Sequence, residues 1–157
     1  MITIGQKLPE HSFQLLTKEG MRNPTTDDLF AGKKVVLFAV PGAFTPTCSE
    51  AHLPGYVVNA DQFKAKGVDS IICLAVNDAF VMKAWGEAQN AENLIMLADG
   101  DGSFSKKLGT DADTGAFGGV RSLRYSMLVE NGVVTQLNIE APKQFEVSTA
   151  EVMLGQL

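Results

Sequence analysis

Three short apolar runs, Lys34 to Val40, Asp69 to Val76 and Asn93 to Ala98, are separated by two stretches with helical spacing. Each run is rich in Val, Ile and Leu, and the first is bounded by Gly32 and Pro41-Gly42. Runs of this length and composition predict strands buried on both faces. Between the first two, Ser49 to Lys66 places apolar residues at 53, 56, 57, 60 and 63, which predicts a helix. Pro54-Gly55 is expected to kink or interrupt its early part. Ala79 to Gln89, with Phe80, Met82, Ala84, Trp85 and Ala88, predicts a second helix. Strand, helix, strand, helix, strand then requires parallel pairing through right-handed crossovers.

The pattern changes towards the C-terminus. Arg124 to Val129 and Val133 to Ile139 flank Glu130-Asn131-Gly132, whose Asn-Gly pair is a strong hairpin signal. Ser148-Thr149-Ala150-Glu151 reads as a capping box that starts a last short helix, with Ser148 as N-cap. The first thirty residues read as irregular, with room for a small hairpin. This order predicts an α/β fold: a thioredoxin-like sandwich whose central mixed sheet is flanked by helices. An N-terminal extension and a C-terminal β-hairpin plus helix complete it. At 157 residues the chain is expected to form one domain over residues 1–157. Its 45% hydrophobic content suffices for an independent core. No repeat, linker or low-complexity segment interrupts it.

A net charge of -5 and scattered Lys and Arg argue against nucleic acid and against anionic membrane surfaces, which need a basic face. No apolar run approaches the ~18 residues needed to cross a bilayer. The first ten residues lack the apolar core of a secretory signal, so a cytoplasmic location is expected. Two cysteines, Cys48 and Cys73, are too few for a disulfide scaffold.

The chemistry concentrates in Pro41-Gly42-Ala43-Phe44-Thr45-Pro46-Thr47-Cys48, where a buried strand ends and a helix begins. Open α/β sheets form their sites at the carboxyl ends of strands. A cysteine in the first helical turn faces unpaired N–H groups and the positive end of the dipole, which favour thiolate over thiol. A free cysteine is commonly just a small buried hydrophobe. Here, however, two prolines and a glycine in eight residues make a rigid loop, and Thr45 offers a hydroxyl near the sulfur. Cys48 is therefore the candidate nucleophile. From Val35 to Phe63 there is no Lys or Arg, so any cation beside the sulfur must come from elsewhere. Arg121 and Arg124 are the best-placed candidates in the sequence.

Pro41, Thr45 and Cys48 match the Pro-x-x-x-Thr-x-x-Cys signature of peroxiredoxins. The wider run Val40 to Tyr56, with Val76 to Trp85, Leu97-Ala98-Asp99-Gly100 and Arg124-Tyr125-Ser126-Met127, resembles the type II, or fifth, subfamily along nearly the whole chain. The resemblance implies a thiol peroxidase that reduces hydrogen peroxide and alkyl hydroperoxides through a sulfenic acid on Cys48. It selects Arg124 as the arginine that contacts sulfur and peroxide. Thr45 and the Cys48 N–H would hold the substrate, and Pro41 would shield the sulfur from water. Arg121 is left as a loop cation or a supporting residue. No cofactor or metal is implied, and a homodimer formed beside the active site is.

Recycling is less constrained. The C-terminal region where some members carry a resolving cysteine, Phe145-Glu146-Val147-Ser148, has none. Cys73 has a spacing from Cys48 that looks like plant-type members, yet it sits inside an apolar strand. Disulfide formation needs Cα atoms within about 7 Å, so that pairing would require local unfolding. Reduction by glutathione and glutaredoxin is the expected route, with thioredoxin acting through a Cys48–Cys73 disulfide as the alternative.

Other readings are weaker. His52, four residues after Cys48, could suggest a thiol hydrolase, but a helical neighbour beside Pro54 is poor general-base geometry, so packing or hydrogen bonding is expected. Cys48, His52, Cys73 and His11 lack zinc-ligand spacing. Asp99-Gly100-Asp101-Gly102 lacks the glutamate of a calcium loop, since the twelfth position is Thr110, and reads as a turn. A thiol-disulfide oxidoreductase would need Cys-x-x-Cys, and Thr45 occupies the first cysteine's place. A redox sensor or binding module with little turnover remains the non-enzymatic alternative. Phe44, Phe80 and Phe117 could line the site mouth, a subunit contact or the core.

Overall fold

The computed structural model describes residues 1–157. Five strands form the central sheet: β3 (Lys34–Val40), β4 (Ser70–Ala75), β5 (Ile95–Ala98), β8 (Tyr125–Glu130) and β9 (Val133–Ile139), in the order β5-β4-β3-β8-β9. β3 pairs in parallel with β4, and β4 with β5; β8 and β9 join antiparallel. The sheet is therefore mixed. Two small antiparallel ribbons, β1 (Leu15–Thr17) with β2 (Gly20–Arg22) and β6 (Asp111–Asp113) with β7 (Val120–Ser122), lie outside it. The N-terminal hairpin is thus present.

Alternation along the central strands explains the two cores. Val36, Phe38 and Val40 of β3, with Ile71, Cys73 and Ala75 of β4, face one side. There they meet α2 (Leu53–Val58), α3 (Ala60–Ala65), α4 (Ala79–Ala88) and α6 (Ala150–Gly155). Val35, Leu37 and Ala39, with Ile72 and Leu74, face the other side against α1 (Thr26–Phe30) and α5 (Ser103–Leu108). Strands buried on both faces must read as continuous apolar runs, and these do. No helix is long and apolar enough to cross a membrane.

The β8–β9 turn follows the Asn-Gly signal: Asn131 and Gly132 both adopt positive φ (49° and 77°), as a primed turn requires. Two details of the helices depart from expectation. The stretch from Ser49 to Lys66 is three pieces, a π-helical segment Cys48–His52 followed by α2 and α3, with a break at Asn59 (φ −95°, ψ 7°). Pro54 does not break the chain, because it falls in the first turn of α2, where its missing N–H costs least. The Leu53 N–H reaches back to the Cys48 carbonyl, one residue further than in an α-helix. The second departure is the last helix. Its N-cap is Thr149, whose side chain accepts from the Val152 N–H at 3.2 Å. Ser148 cannot serve, since its hydroxyl donates instead to Glu140 at 2.7 Å. Asp99-Gly100-Asp101-Gly102 is a turn that feeds α5, and buried Asp99 accepts from the N–H groups of Phe104 and Ser105.

An aromatic column joins the sheet to the helices that carry the site. Phe38 of β3 stacks on Tyr56 of α2 (centroids 4.0 Å, planes 5° apart), and Tyr56 stacks on Phe63 of α3 at 5.5 Å. All three are fully buried. Phe38→Ala should lower the unfolding free energy by about 3–5 kcal/mol, read as a shifted urea midpoint at unchanged slope. A loss below about 1 kcal/mol, the range of a tolerated surface change, would contradict this packing.

Candidate active site

β3 ends at Val40, and the loop from Pro41 leads directly into the helical backbone that carries Cys48. The loop is held at both sides. The Ala43 N–H donates to Asn77 Oδ1 (2.9 Å), and the Thr45 hydroxyl donates to the Gly42 carbonyl (2.7 Å). Phe44 takes a positive φ of 64° and stays exposed, with its ring 6.4 Å from that of Trp85. The Trp85 Nε1–H in turn donates to Ser49 Oγ (3.0 Å), tying α4 to the residue after the cysteine. The first helical bond runs from the Ser49 N–H to the Thr45 carbonyl (3.0 Å), so the Cys48 N–H lies ahead of it.

Cys48 is wholly buried, and its sulfur faces a cation. Arg124, at the entrance to β8, places Nη2 3.1 Å from Cys48 Sγ. Its Nη1 lies 2.8 Å from His52 Nδ1, and its guanidinium carbon lies 5.7 Å from the Phe145 ring centroid. The charge missing between residues 35 and 63 is thus supplied from the antiparallel half of the sheet. Arg124 also lets the tautomer of His52 be deduced. A guanidinium nitrogen can only donate, so Nδ1 is bare. Nε2 lies 3.0 Å from the Ser148 carbonyl, which can only accept, so Nε2 carries the proton. Burial and the Arg124 charge hold the His52 pKa down to about 3, and the ring is neutral at physiological pH.

A second layer supports this arrangement. Tyr56 Oη donates to the same Ser148 carbonyl at 2.9 Å. Glu140, directly after β9, accepts from the N–H groups of Glu146, Val147 and Ser148 and from the Ser148 hydroxyl. Burial pushes the Glu140 carboxyl up, but these hydrogen bonds outweigh it and hold the group below its ordinary value. Tyr56, Glu140, Ser148 and Phe145 were not singled out as site residues from the sequence. Tyr56 and Ser148 meet through loop closure across some ninety positions, for which spacing gives no signal, and Glu140 owes its place to the turn that folds back on it.

The remaining sequence candidates lie nearby or behind. Pro41 is half-buried at the end of β3. Arg121 does not join the sulfur: its Nε donates to the Gly118 carbonyl (3.1 Å) and its Nη1 to that of Val76 (3.0 Å). Cys73 lies mid-strand in β4, paired with Phe38 of β3 and Met96 of β5, and fully buried. Burial pushes its thiol well up, and negative charge on Cys48 adds to that. Both cysteines are free. No group of three or more His, Cys, Asp or Glu is placed to hold a metal ion.

The neutral imidazole has a pH consequence. The unfolded chain protonates His52 near 6.5, whereas the folded chain does so only near 3. The unfolded state therefore binds the extra proton between those values. The stability contribution is complete above pH 6.5 and declines as pH falls towards 3, at about 1.4 kcal/mol per unit. Thermal unfolding of His52→Phe should show a shallower loss between pH 6.5 and 5 than the unaltered chain. Some slope remains, because burial and Lys107 also hold His11 low. Equal slopes in the two proteins would refute the assignment.

Comparison with known proteins places the chain in a family. The Redoxin family matches residues 3–154. The chain is 46% identical to chloroplastic peroxiredoxin-2E of Arabidopsis thaliana, over 99% of this chain and 69% of that protein. It is 43% identical to peroxiredoxin-2D of the same plant, over 99% and 98%. Among solved structures, reduced Prx3 of Vibrio vulnificus in complex with hydrogen peroxide superposes with a TM-score of 0.98 at 68% identity, covering 99% of each chain. Peroxiredoxin 5 from Alvinella pompejana gives 0.85 at 35%, covering 98% and 96%. The chain belongs to the redoxin family and, within it, to the peroxiredoxins of the type II or fifth subfamily, which are thiol peroxidases.

Proposed function

We propose that this peroxiredoxin, as a single domain spanning residues 1–157, reduces hydrogen peroxide and alkyl hydroperoxides with Cys48 as its nucleophile. The observation that carries this reading is the 3.1 Å contact between Arg124 Nη2 and Cys48 Sγ. A guanidinium donor aimed at sulfur is complementary to a thiolate, the form that attacks. The sulfur attacks one peroxide oxygen, an S–O bond forms, and the O–O bond breaks. Sulfur is oxidised by two electrons to the sulfenic acid, and the departing oxygen leaves as water or an alcohol after taking a proton. Negative charge grows on that oxygen in the transition state, and donors fixed beforehand stabilise it. Arg124 and the Cys48 N–H are the donors of this reading, the Thr45 hydroxyl, whose own proton goes to the Gly42 carbonyl, accepts from the peroxide O–H, and Pro41 screens the sulfur from water. The relative from Vibrio vulnificus that was solved with hydrogen peroxide supports the choice of substrate.

For recycling, the position of Cys73 supports an external thiol. Reaching Cys48 would mean drawing a residue out of β4, which is paired on both edges. Glutathione attacks the sulfenic acid to give a mixed disulfide and water. Glutaredoxin with a second glutathione then restores the thiol and releases glutathione disulfide. Homodimerisation beside the site is part of the same reading, supported by the exposed rings of Phe44, Phe80 and Phe117.

Two measurements test this. Cys48→Ser should abolish peroxide consumption with both glutaredoxin and thioredoxin systems, while Cys73→Ser keeps the glutaredoxin route. Intact mass after one equivalent of peroxide with glutathione should show the adduct on Cys48. A loss of two mass units would instead establish the Cys48–Cys73 disulfide and thioredoxin as donor. Arg124→Ala should slow the reaction with peroxide by about 10²–10³-fold in stopped flow. A rate within about threefold of the original, or roughly 0.7 kcal/mol, would remove Arg124 from the mechanism.

A further inference from the structure

Glu140 is only 8% exposed and has no cationic partner; the chain's single ion pair is Lys83 with Glu87. A buried carboxylate in that state is costly unless hydrogen bonds satisfy it. Here they do: Oε2 accepts from the N–H groups of Glu146 (2.9 Å), Val147 (2.9 Å) and Ser148 (2.8 Å) and from Ser148 Oγ (2.7 Å). All four donors come from one turn. The same residue reaches the site through its main chain, since the Glu140 N–H donates to the Arg124 carbonyl at 3.0 Å. One residue thus fixes both the backbone of Arg124 and the turn that presents the Ser148 carbonyl.

That carbonyl sits where the Nε2–H of His52 and the hydroxyl of Tyr56 converge, at 3.0 and 2.9 Å. We propose that Glu140 is a positioning residue for the peroxide reaction. It anchors the 146–148 turn so that the Ser148 carbonyl keeps His52 in its Nε2–H tautomer. The bare Nδ1 of that tautomer holds Arg124 Nη1 and leaves Nη2 on the Cys48 sulfur. If the turn shifts, the imidazole loses the acceptor that selects its tautomer. Nδ1 can then carry the proton, and a protonated Nδ1 repels the guanidinium N–H it now accepts. The remaining contact of the guanidinium, with Phe145 at 5.7 Å, gives no directional bond. Glu140 touches neither sulfur nor substrate, so its effect on the reaction passes through His52 and Arg124.

The inference rests on Cys48 being the reacting thiol; retained turnover in Cys48→Ser would sink that reading whatever Glu140 does. Glu140→Gln places an amide N–H₂ among donors, so the turn loses its charged acceptor. Single-turnover oxidation by hydrogen peroxide can be followed through the fluorescence of Trp85, the only tryptophan. The substitution should slow it about tenfold, and the ¹⁵N resonances of His52 should change from one tautomer to a mixture. In a His52→Phe background the same substitution should change the rate less than about twofold, because the path through the imidazole is already cut. An unchanged rate, an unchanged His52 tautomer, or equal losses in the two backgrounds would each overturn the assignment. Should Glu140→Gln fail to fold, Ser148→Ala removes one of the four donors and leaves the main chain. It is then measured in the same two backgrounds, where a loss confined to the His52-containing protein is expected. Equal losses there, or none, count against Glu140.

Discussion

A guanidinium can face a buried sulfur only if the rest of its hydrogen-bonding surface is also met. Arg124 is half-buried and has five N–H donors and no acceptor, so the donors it turns inward demand partners at fixed angles. Sulfur takes Nη2 and the His52 imidazole takes Nη1. An aspartate in place of His52 would neutralise the cation and weaken its pull on the sulfur. A neutral ring accepts the hydrogen bond and leaves the positive charge undiminished. The depressed His52 pKa is therefore the condition under which Arg124 can act on Cys48 as a full charge.

The helix that carries these groups is wound to suit them. In an α-helix, residues four apart lie close to one face, and the π segment Cys48–His52 widens the turn locally. Sulfur and imidazole consequently meet two different nitrogens of one guanidinium. The same segment resolves the problem set by Pro54, whose ring tolerates the first turn of α2 but not a helix interior. Below it, the Phe38–Tyr56–Phe63 column sets the height of the helix above the sheet. Tyr56 does double duty, packing with its ring and directing its hydroxyl to the Ser148 carbonyl.

Much of this was legible in the sequence, for identifiable reasons. β3, β4 and β5 announce themselves because burial on both faces removes polar residues from the run, and Asn131-Gly132 demands a turn few other residues permit. Cys48, Thr45 and Arg124 lie in motifs whose resemblance to a family is specific. What could not be read depends on competition between nearby partners. Ser148 and Thr149 are both good N-caps, and only the position of Glu140 decides that Ser148 is already engaged. Helix α1 escaped notice because it has five residues and an aspartate, Asp28, at the capping-box position usually held by glutamate. Helix α5 was hidden since its cap is Asp99, which lies outside the usual N-cap position and looks like part of a loop.

The two cysteines share burial and differ in what faces the sulfur. Cys48 and Cys73 are equally inaccessible, and both belong to the core on the same face of the sheet. Cys73 is surrounded by hydrocarbon and by its strand neighbours, so ionising it would place an uncompensated charge in a medium that cannot solvate it. Cys48 has the same shielding from water but faces a donor of opposite charge. Shielding strengthens that attraction, because the effective dielectric is lower than in solvent. What separates the two sulfurs is one arginine delivered by the antiparallel half of the sheet, and hence the strand order that brings β8 beside β3.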